Sequence, residues 1–377
     1  MVSPSSLQHI RVFYAAYFAA MGLILPFFPV YLASLGYDIA RIGVMTGLLA
    51  AAKVIAPPCS GYWLDKKQMP EGRFIVLASC FAAICVGLFN VSSESPLVFS
   101  CVVLLFGMLW AAVLPLTDGL SIHVSEIALA DYGRLRVWGS IGFVLTSLLG
   151  GMLFDVLAIA WFPWFLVFLM LVMALSGRGF PTLVSASDRP QVGASNPFPK
   201  ALLLLFTVSF LIQLSHGAYY GFFSLYLLDA GYQGWQVGSF WVLGVIAEIV
   251  LLWRWAKPIQ GMSLQSVVQM CLFLAALRWF GMGLSDVWWW LCLLQILHAA
   301  SFAAFHVIAV TWVKRLSPPH THAAAQGWYS ATGFGLGSTV GIMGCGLIVQ
   351  WYGFSMAFYA CAVIALGAML LAWKLPK

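Results

Sequence analysis

Three ionisable side chains stand inside otherwise apolar runs: Lys53, Glu248 and Arg278. A charge in such a run is costly, so each calls for water, protein or a partner. Lys53 can hold an anion. Glu248 can exchange a proton, because desolvation pushes a carboxyl toward its neutral form and a nearby cation pushes it back. The planar fork of Arg278 suits a carboxylate, from a solute or from Glu248. His298 and His216 also lie at mid-run, where an imidazole can donate, accept and titrate near neutral pH. His306 lies deeper and reads more readily as a packed interface histidine. Together these types fit binding of an organic anion and exchange of a proton.

A second group sits at the ends of the runs. Asp118 closes one run and has Arg134, Arg136 or Lys66 as candidate partners. Asp65 and Arg73 belong to the same layer. These residues suit a latch that biases conformation more than a site that selects a solute. Among the aromatics, Tyr14, Phe27, Tyr31, Phe222 and Tyr226 have one face available to line a cavity, with core packing as the competing use. Trp288, Trp289 and Trp290 read as an interfacial belt.

The elements that position these groups follow from composition. The chain has 377 residues, 62% hydrophobic and 8% charged. Ordinary soluble domains carry roughly 25% charge, so a soluble fold and disorder are both excluded. The apolar runs are long and continuous, which disfavours a β-barrel. Twelve are long enough to span a bilayer: approximately 9–35, 40–63, 73–91, 96–120, 135–155, 158–176, 201–228, 235–255, 262–284, 287–313, 324–349 and 353–373. The first is too long for the core of a cleaved signal. The eight cysteines lie in or beside these runs with no CxxC or Cys/His cluster, so they read as buried hydrophobes, and no metal is expected. Gly333, Gly337 and Gly341, with Gly139, Gly142, Gly150 and Gly151, offer small faces for close helix contact.

The charges orient the spans. With the N-terminus inside, fifteen of the 18 Lys and Arg fall on the inner side, and one, Arg41, falls outside. That bias predicts both termini in the cytoplasm. The net charge of +6 therefore reports topology, and no basic stripe suggests nucleic acid. The polar stretch 177–200 separates six spans from six, predicting an N-terminal half over 1–176, a cytoplasmic linker and a C-terminal half over 201–377.

The halves repeat. At an offset of 195, residues 22–53 and 217–248 share ten identities in 32 ungapped positions, including Gly22/Gly217, Tyr31/Tyr226, Gly36/Gly231, Tyr37/Tyr232 and Gly43/Gly238. Both copies run in one direction, which predicts parallel six-helix halves about an axis along the membrane normal. The repeat also pairs Lys53 with Glu248. That equivalence predicts the two facing each other across a central cavity, with an ion pair inside one bundle as the bland alternative.

Several motifs carry a family resemblance. Gly61-Tyr62-Trp63-Leu64-Asp65-Lys66-Lys67 followed by Gly72-Arg73 resembles the signature loop of the major facilitator superfamily. Pro115-Leu116-Thr117-Asp118, the run Asp131 to Ser140, Val245-Ile246-Ala247-Glu248 and Gln295-Ile296-Leu297-His298 are similar to the bacterial 3-phenylpropionate permease subfamily. The second half also resembles lactose permease, whose Glu, Arg and His in spans eight, nine and ten match the places of Glu248, Arg278 and His298. Where that family has a further Glu, this chain has Ser301, which makes Glu248 the implied proton carrier. The resemblance implies an all-α membrane protein of the major facilitator fold, moving its solute by alternating access. It implies a proton-coupled symporter of a small organic solute in a bacterial inner membrane, acting as a monomer in the lipid bilayer. An aromatic carboxylate such as 3-phenylpropionate is favoured. A sugar, a nucleoside or a flipped lipid are the alternatives. The implied solute site comprises Lys53, Tyr31, Phe27, His216, Tyr226, Arg278 and His298; Glu248, Arg278 and His298 would handle the proton; Asp65, Arg73, Asp118, Arg134 and Arg136 would gate. Enzyme chemistry is not expected. HExxH and paired aspartates are missing, Gly353-Phe354-Ser355 lacks the last glycine of a nucleophile turn, and a P-loop is missing too. The proton is the expected coupling ion, with no cofactor.

Overall fold

Apolar runs that cannot hydrate their backbone must satisfy it internally, and helices do so within one segment. The computed structural model describes residues 4–67, 69–129, 131–181, 198–318 and 321–376, and all regular structure there is helical. The helices are α1 (Pro4–Ser34), α2 (Ile39–Lys67), α3 (Glu71–Gly87), α4 (Phe89–Ser92), α5 (Pro96–Ala128), α6 (Tyr132–Val156) and α7 (Phe162–Gly177). After the linker come α8 (Lys200–Ser215), α9 (Gly217–Asp229), α10 (Gly234–Gly261), α11 (Leu264–Leu284), α12 (Trp288–Ile296), α13 (Phe305–Leu316), α14 (His322–Ser330) and α15 (Ser338–Ala372). Two wider π-helical stretches, Ala299–Ala304 and Ala331–Gly337, join α12 to α13 and α14 to α15. Most of the expected linker, 182–197, lies outside the described residues.

Local chemistry sets the ends. Pro96 opens α5 after extended Ser95, and Asp131 caps α6 by accepting from the Gly133 amide at 2.8 Å. Gly36 and Gly231 hold φ of +83° and +88°, a left-handed turn that a side chain would resist.

Among the described residues, ten helical segments are long and apolar enough to cross a membrane. The difference from twelve has two physical causes. The third expected run is broken at Leu88, leaving α3 only 17 residues. The last segment, His322–Ala372, is 51 residues, about 75 Å at the helical rise and far longer than one crossing. Inside it Gly353 has φ 82° and ψ 172°, which interrupts the helix where the sequence starts its final span.

The chain divides into two compact units. One is Met1–Tyr37, Ala51–Asp188 and Gln233–Gly238; the other is Asp38–Ala50, Arg189–Tyr232 and Ser239–Lys377. The division is thus not the simple cut at the linker that the sequence suggests. Residues 38–50 and 233–238, where α2 and α10 begin, each belong to the unit opposite to their half.

The contacts responsible repeat at the same offset of 195. In the first unit the Asp155 carboxylate accepts from the amides of Gly234 and Trp235 at 2.7 and 2.9 Å, capping α10. In the second unit the side-chain carbonyl of Gln350 accepts from the Ala40 amide at 3.3 Å, capping α2. Close approaches repeat too. A Cβ on Gly142 would stand 2.2 Å from the Ala15 carbonyl oxygen, and one on Gly337 would stand 2.6 Å from that of Phe210. Gly142→Ala is therefore expected to lose about 1–3 kcal/mol through overpacking, because the obstacle is backbone. A lower melting temperature in detergent, with Gly61→Ala as an open-space control, checks it; an unchanged value would remove this packing argument.

The repeated tyrosines do parallel work. The Tyr31 hydroxyl donates to Asn90 Oδ1 at 2.8 Å and that of Tyr226 to the Met282 carbonyl at 2.9 Å. Tyr37 donates to the Ser93 carbonyl at 2.8 Å and Tyr232 to that of Asp286 at 2.6 Å. In each unit, aromatic hydroxyls pin the first span of that half and its exit to the end of the third span and the loop after it.

Candidate functional site

In the second unit, polar residues on α9, α10, α11 and α12 converge on a buried arginine. Arg278 of α11 has no solvent exposure and lies over the rings of Tyr219 and Trp279, 4.2 and 4.5 Å from their centroids. One guanidinium nitrogen, Nη2, donates to Gln295 Oε1 at 2.6 Å. The other, Nη1, is 2.8 Å from His298 Nδ1. The far nitrogen of that ring, Nε2, is 2.7 Å from Glu248 Oε1 on α10. Gln295 is also fully buried, and its Nε2 donates to the Phe240 carbonyl at 3.1 Å. The structure thus joins Glu248, His298 and Arg278 in one chain, with the imidazole in the middle. Arg278 therefore reaches Glu248 through the imidazole and not directly, and its Nε has no hydrogen-bond partner among the described residues.

His216 sits at the break between α8 and α9, fully buried. Its Nδ1 donates to the Ile212 carbonyl at 2.8 Å, and its Nε2 has no hydrogen-bond partner among the described residues. Gln213 one turn earlier has an unpartnered Oε1. His306 on α13 lies 3.0 Å from the Tyr329 hydroxyl. Phe302 and Phe334, one from each π-helical stretch, meet edge to face at 5.8 Å beside it. Tyr226 is not beside these groups. It packs on Phe358 at 5.3 Å and its hydroxyl donates to the Met282 carbonyl.

The first unit holds the other candidates. Tyr31 is fully buried against Phe162 and Phe89, and Phe27 packs on Phe154. Within the first unit both side chains are thus buried in aromatic packing. Lys53 on α2 is half-buried, and among the described residues of its unit it has no hydrogen-bond or ion-pair partner. Of the three candidate partners of Asp118, the structure selects Arg136, at 3.7 Å. Two tyrosines complete that cluster: Tyr14 and Tyr132 donate to Asp118 Oδ1 at 2.7 and 3.1 Å. The Arg136 guanidinium also lies over the rings of Tyr14 and Phe18. Arg73 and Arg134 are exposed, and within this unit neither side chain has a hydrogen-bond or ion-pair partner among the described residues. The side chain of Asp65 lies outside the described residues.

The model of the MFS_1 like family matches residues 7–360. The chain belongs to this family. An MFS transporter is a multi-pass integral membrane protein that moves a small molecule, and it is not an enzyme. Relatives agree over nearly the whole length. The probable 3-phenylpropionic acid transporter of Escherichia coli (strain K12) is 27% identical over 372 residues, covering 95% of each chain. The maltose permease of Geobacillus stearothermophilus is 26% identical, covering 96% of this chain and 93% of the permease. In fold, the D323A mutant of the nucleoside transporter NupG superposes with a TM-score of 0.87 at 17% identity, covering 97% of this chain and 98% of that one.

For an MFS transporter the arrangement in the second unit has clear chemical capacity. The Glu248 side chain is 17% exposed while Arg278 is sealed. The carboxylate is thus the least enclosed member of the chain and the cation the most enclosed. Gln295 and Tyr219 are the residues that reading the sequence missed. Gln295 was accessible in principle: it is a polar residue in an apolar run, three positions before His298 and so on the same helical face.

Proposed function

We propose that the protein is a proton-coupled symporter of a small organic anion, with an aromatic carboxylate as the favoured solute. The observation that carries the reading is the Glu248–His298–Arg278 chain, an ionisable assembly inside membrane-spanning helices. Such groups are expensive in hydrocarbon and mark ion or proton pathways. Lys53 supplies the free positive charge for a carboxylate, since Arg278 is already occupied. The relative described as a probable 3-phenylpropionic acid transporter supports the same class. Charge bookkeeping favours coupling: a proton on Glu248 leaves Arg278 uncompensated, and an anion loaded with it restores the balance. The Asp118–Arg136–Tyr14–Tyr132 cluster acts as a latch near the inner face. We place the protein in a bacterial inner membrane with both termini in the cytoplasm, working as a monomer.

A neutral polar solute is the second reading. The unpartnered Gln213 Oε1 and His216 Nε2 could each accept from a sugar or nucleoside hydroxyl. Uptake into proteoliposomes separates the two. With an imposed inward proton gradient, 3-phenylpropionate is expected to accumulate, and an uncoupler should collapse the accumulation. Maltose or uridine accumulating in its place would transfer the assignment to the neutral class, and uptake indifferent to the gradient would remove the coupling.

A further inference from the structure

We propose that Arg278 fixes His298 as the neutral tautomer with its hydrogen on Nε2, so that the coupling proton is carried by Glu248 alone, on Oε2. This rests on reading Glu248 as the coupling group. The argument begins with donor inventory. A guanidinium has only N–H donors and no acceptor, and it does not lose its proton in proteins. At 2.8 Å from Nη1, His298 Nδ1 must therefore offer its lone pair. A neutral imidazole with a bare Nδ1 carries its hydrogen on Nε2. That hydrogen points at Glu248 Oε1, 2.7 Å away. An imidazolium would set two N–H groups against each other across the Arg278 contact. Turning the ring over would offer carbon to both partners and lose both bonds.

Arg278 is itself held independently of His298. The rings of Tyr219 and Trp279 both pack against its guanidinium, and Gln295 takes its second nitrogen. Gln295 cannot reverse, because its amide nitrogen is committed to the Phe240 carbonyl. The lock is thus a framework of neutral groups around one permanent cation. Other titratable groups near the ring are few. His216 and Tyr219 approach it at 6.2 and 5.2 Å between ring centroids, and Phe302 stacks on it at 5.4 Å. His216 has its own Nδ1 hydrogen committed to Ile212, Tyr220 stacks on His216 at 5.6 Å, and His306 Nδ1 is 3.0 Å from the Tyr329 hydroxyl.

The consequence for the proton is geometric. A proton added to Oε1 would take up one of its lone pairs and weaken it as the acceptor of the Nε2 hydrogen. Added to Oε2, it leaves the bond from Nε2 to Oε1 intact. No bond to His298 forms or breaks in loading; one O–H bond forms on Glu248 and the carboxyl becomes neutral. His298 is then a positioning residue that holds the carboxyl in both states, and it does not relay the proton.

The test uses the full chain in nanodiscs with histidine labelled with 15N, and His298→Gln to assign the signal. Between about pH 6 and 8, where a free imidazole titrates, His298 is expected to show a pyrrole-type Nε2 and a pyridine-type Nδ1 throughout. In Arg278→Gln, the same ring is expected to begin titrating in that window. A hydrogen on Nδ1, or a titrating His298 in the unaltered protein, would overturn the proposal. So would an Arg278→Gln spectrum identical to the parent. If Arg278→Gln does not fold, the parent spectrum still decides. The spectrum is independent of transport, so loss of the coupling role of Glu248 would be seen separately, in uptake.

Discussion

Glu248→Gln is expected to remove gradient-driven accumulation while leaving the protein folded and able to exchange solute. The size follows from the gradient. One pH unit is worth about 1.4 kcal/mol, so one coupled proton supports about tenfold accumulation. Without a titrating carboxyl the ratio inside to outside should fall to about one, which is the full effect. Gln is the right replacement because its side-chain oxygen can still accept from His298 Nε2, at the position now occupied by Oε1. The neutral amide also mimics the loaded form, so counterflow between labelled and unlabelled solute should continue. Accumulation, counterflow and melting temperature are measured together on one preparation. Tenfold accumulation in Glu248→Gln would take the proton away from this residue altogether. Loss of both accumulation and counterflow with a normal melting temperature would assign Glu248 to solute binding instead.

What was legible in the sequence was what membrane physics makes expensive. Lys53, Glu248 and Arg278 stand out because a charge in hydrocarbon is costly at any depth and on any face of a helix. The repeat was legible because its offset is constant, and the structure extends it to Gly142/Gly337 and to the twin caps Asp155/Gln350. Side-chain direction was not legible. Tyr31 and Tyr226 sit at repeated positions, which drew attention to them as cavity residues. Their identity in both halves has another cause: each donates its hydroxyl to an equivalent part of its own unit. Repetition across halves marks shared packing, whereas the break in repetition at Lys53 and Glu248 marks a division of labour.

Other misses have equally specific causes. The partners of Asp118 include Tyr14, 104 positions away, a separation that no local pattern reports. The face of His306 could not be read because a π-helical stretch intervenes after His298, and a wider turn alters where later side chains emerge. The helix starts that change units, 38–50 and 233–238, escaped because their glycine pair, Gly43 and Gly238, reads in sequence as ordinary repeat identity. The burial of Arg278 and its contacts with Gln295 and His298 depend on residues 17 and 20 positions away, which no local pattern reports.

Those contacts turn the anion question onto Lys53, where two independent quantities should move in opposite senses. Lys53→Met keeps the length of the side chain and removes its charge. A hydrogen bond to a charged group contributes about 1.5–3 kcal/mol, so affinity for 3-phenylpropionate should fall about 10- to 150-fold. The neutral amide of the same acid lacks the charge that Lys53 would hold, so its weaker binding should barely change. Stability should not fall. An unpartnered ammonium in a spanning helix carries an insertion cost of about 2.5–3.5 kcal/mol, which methionine relieves, so the melting temperature should hold or rise. A lysine serving as a structural ion-pair partner would behave in the reverse way, since removing it would strand a buried carboxylate and destabilise the fold. Titration of acid and amide into the purified variant, beside its melting curve, therefore separates an anion site from a structural charge. Unchanged affinity for the acid would exclude Lys53 from the solute, and, with Arg278 sealed, would leave the neutral solute as the better reading of this transporter.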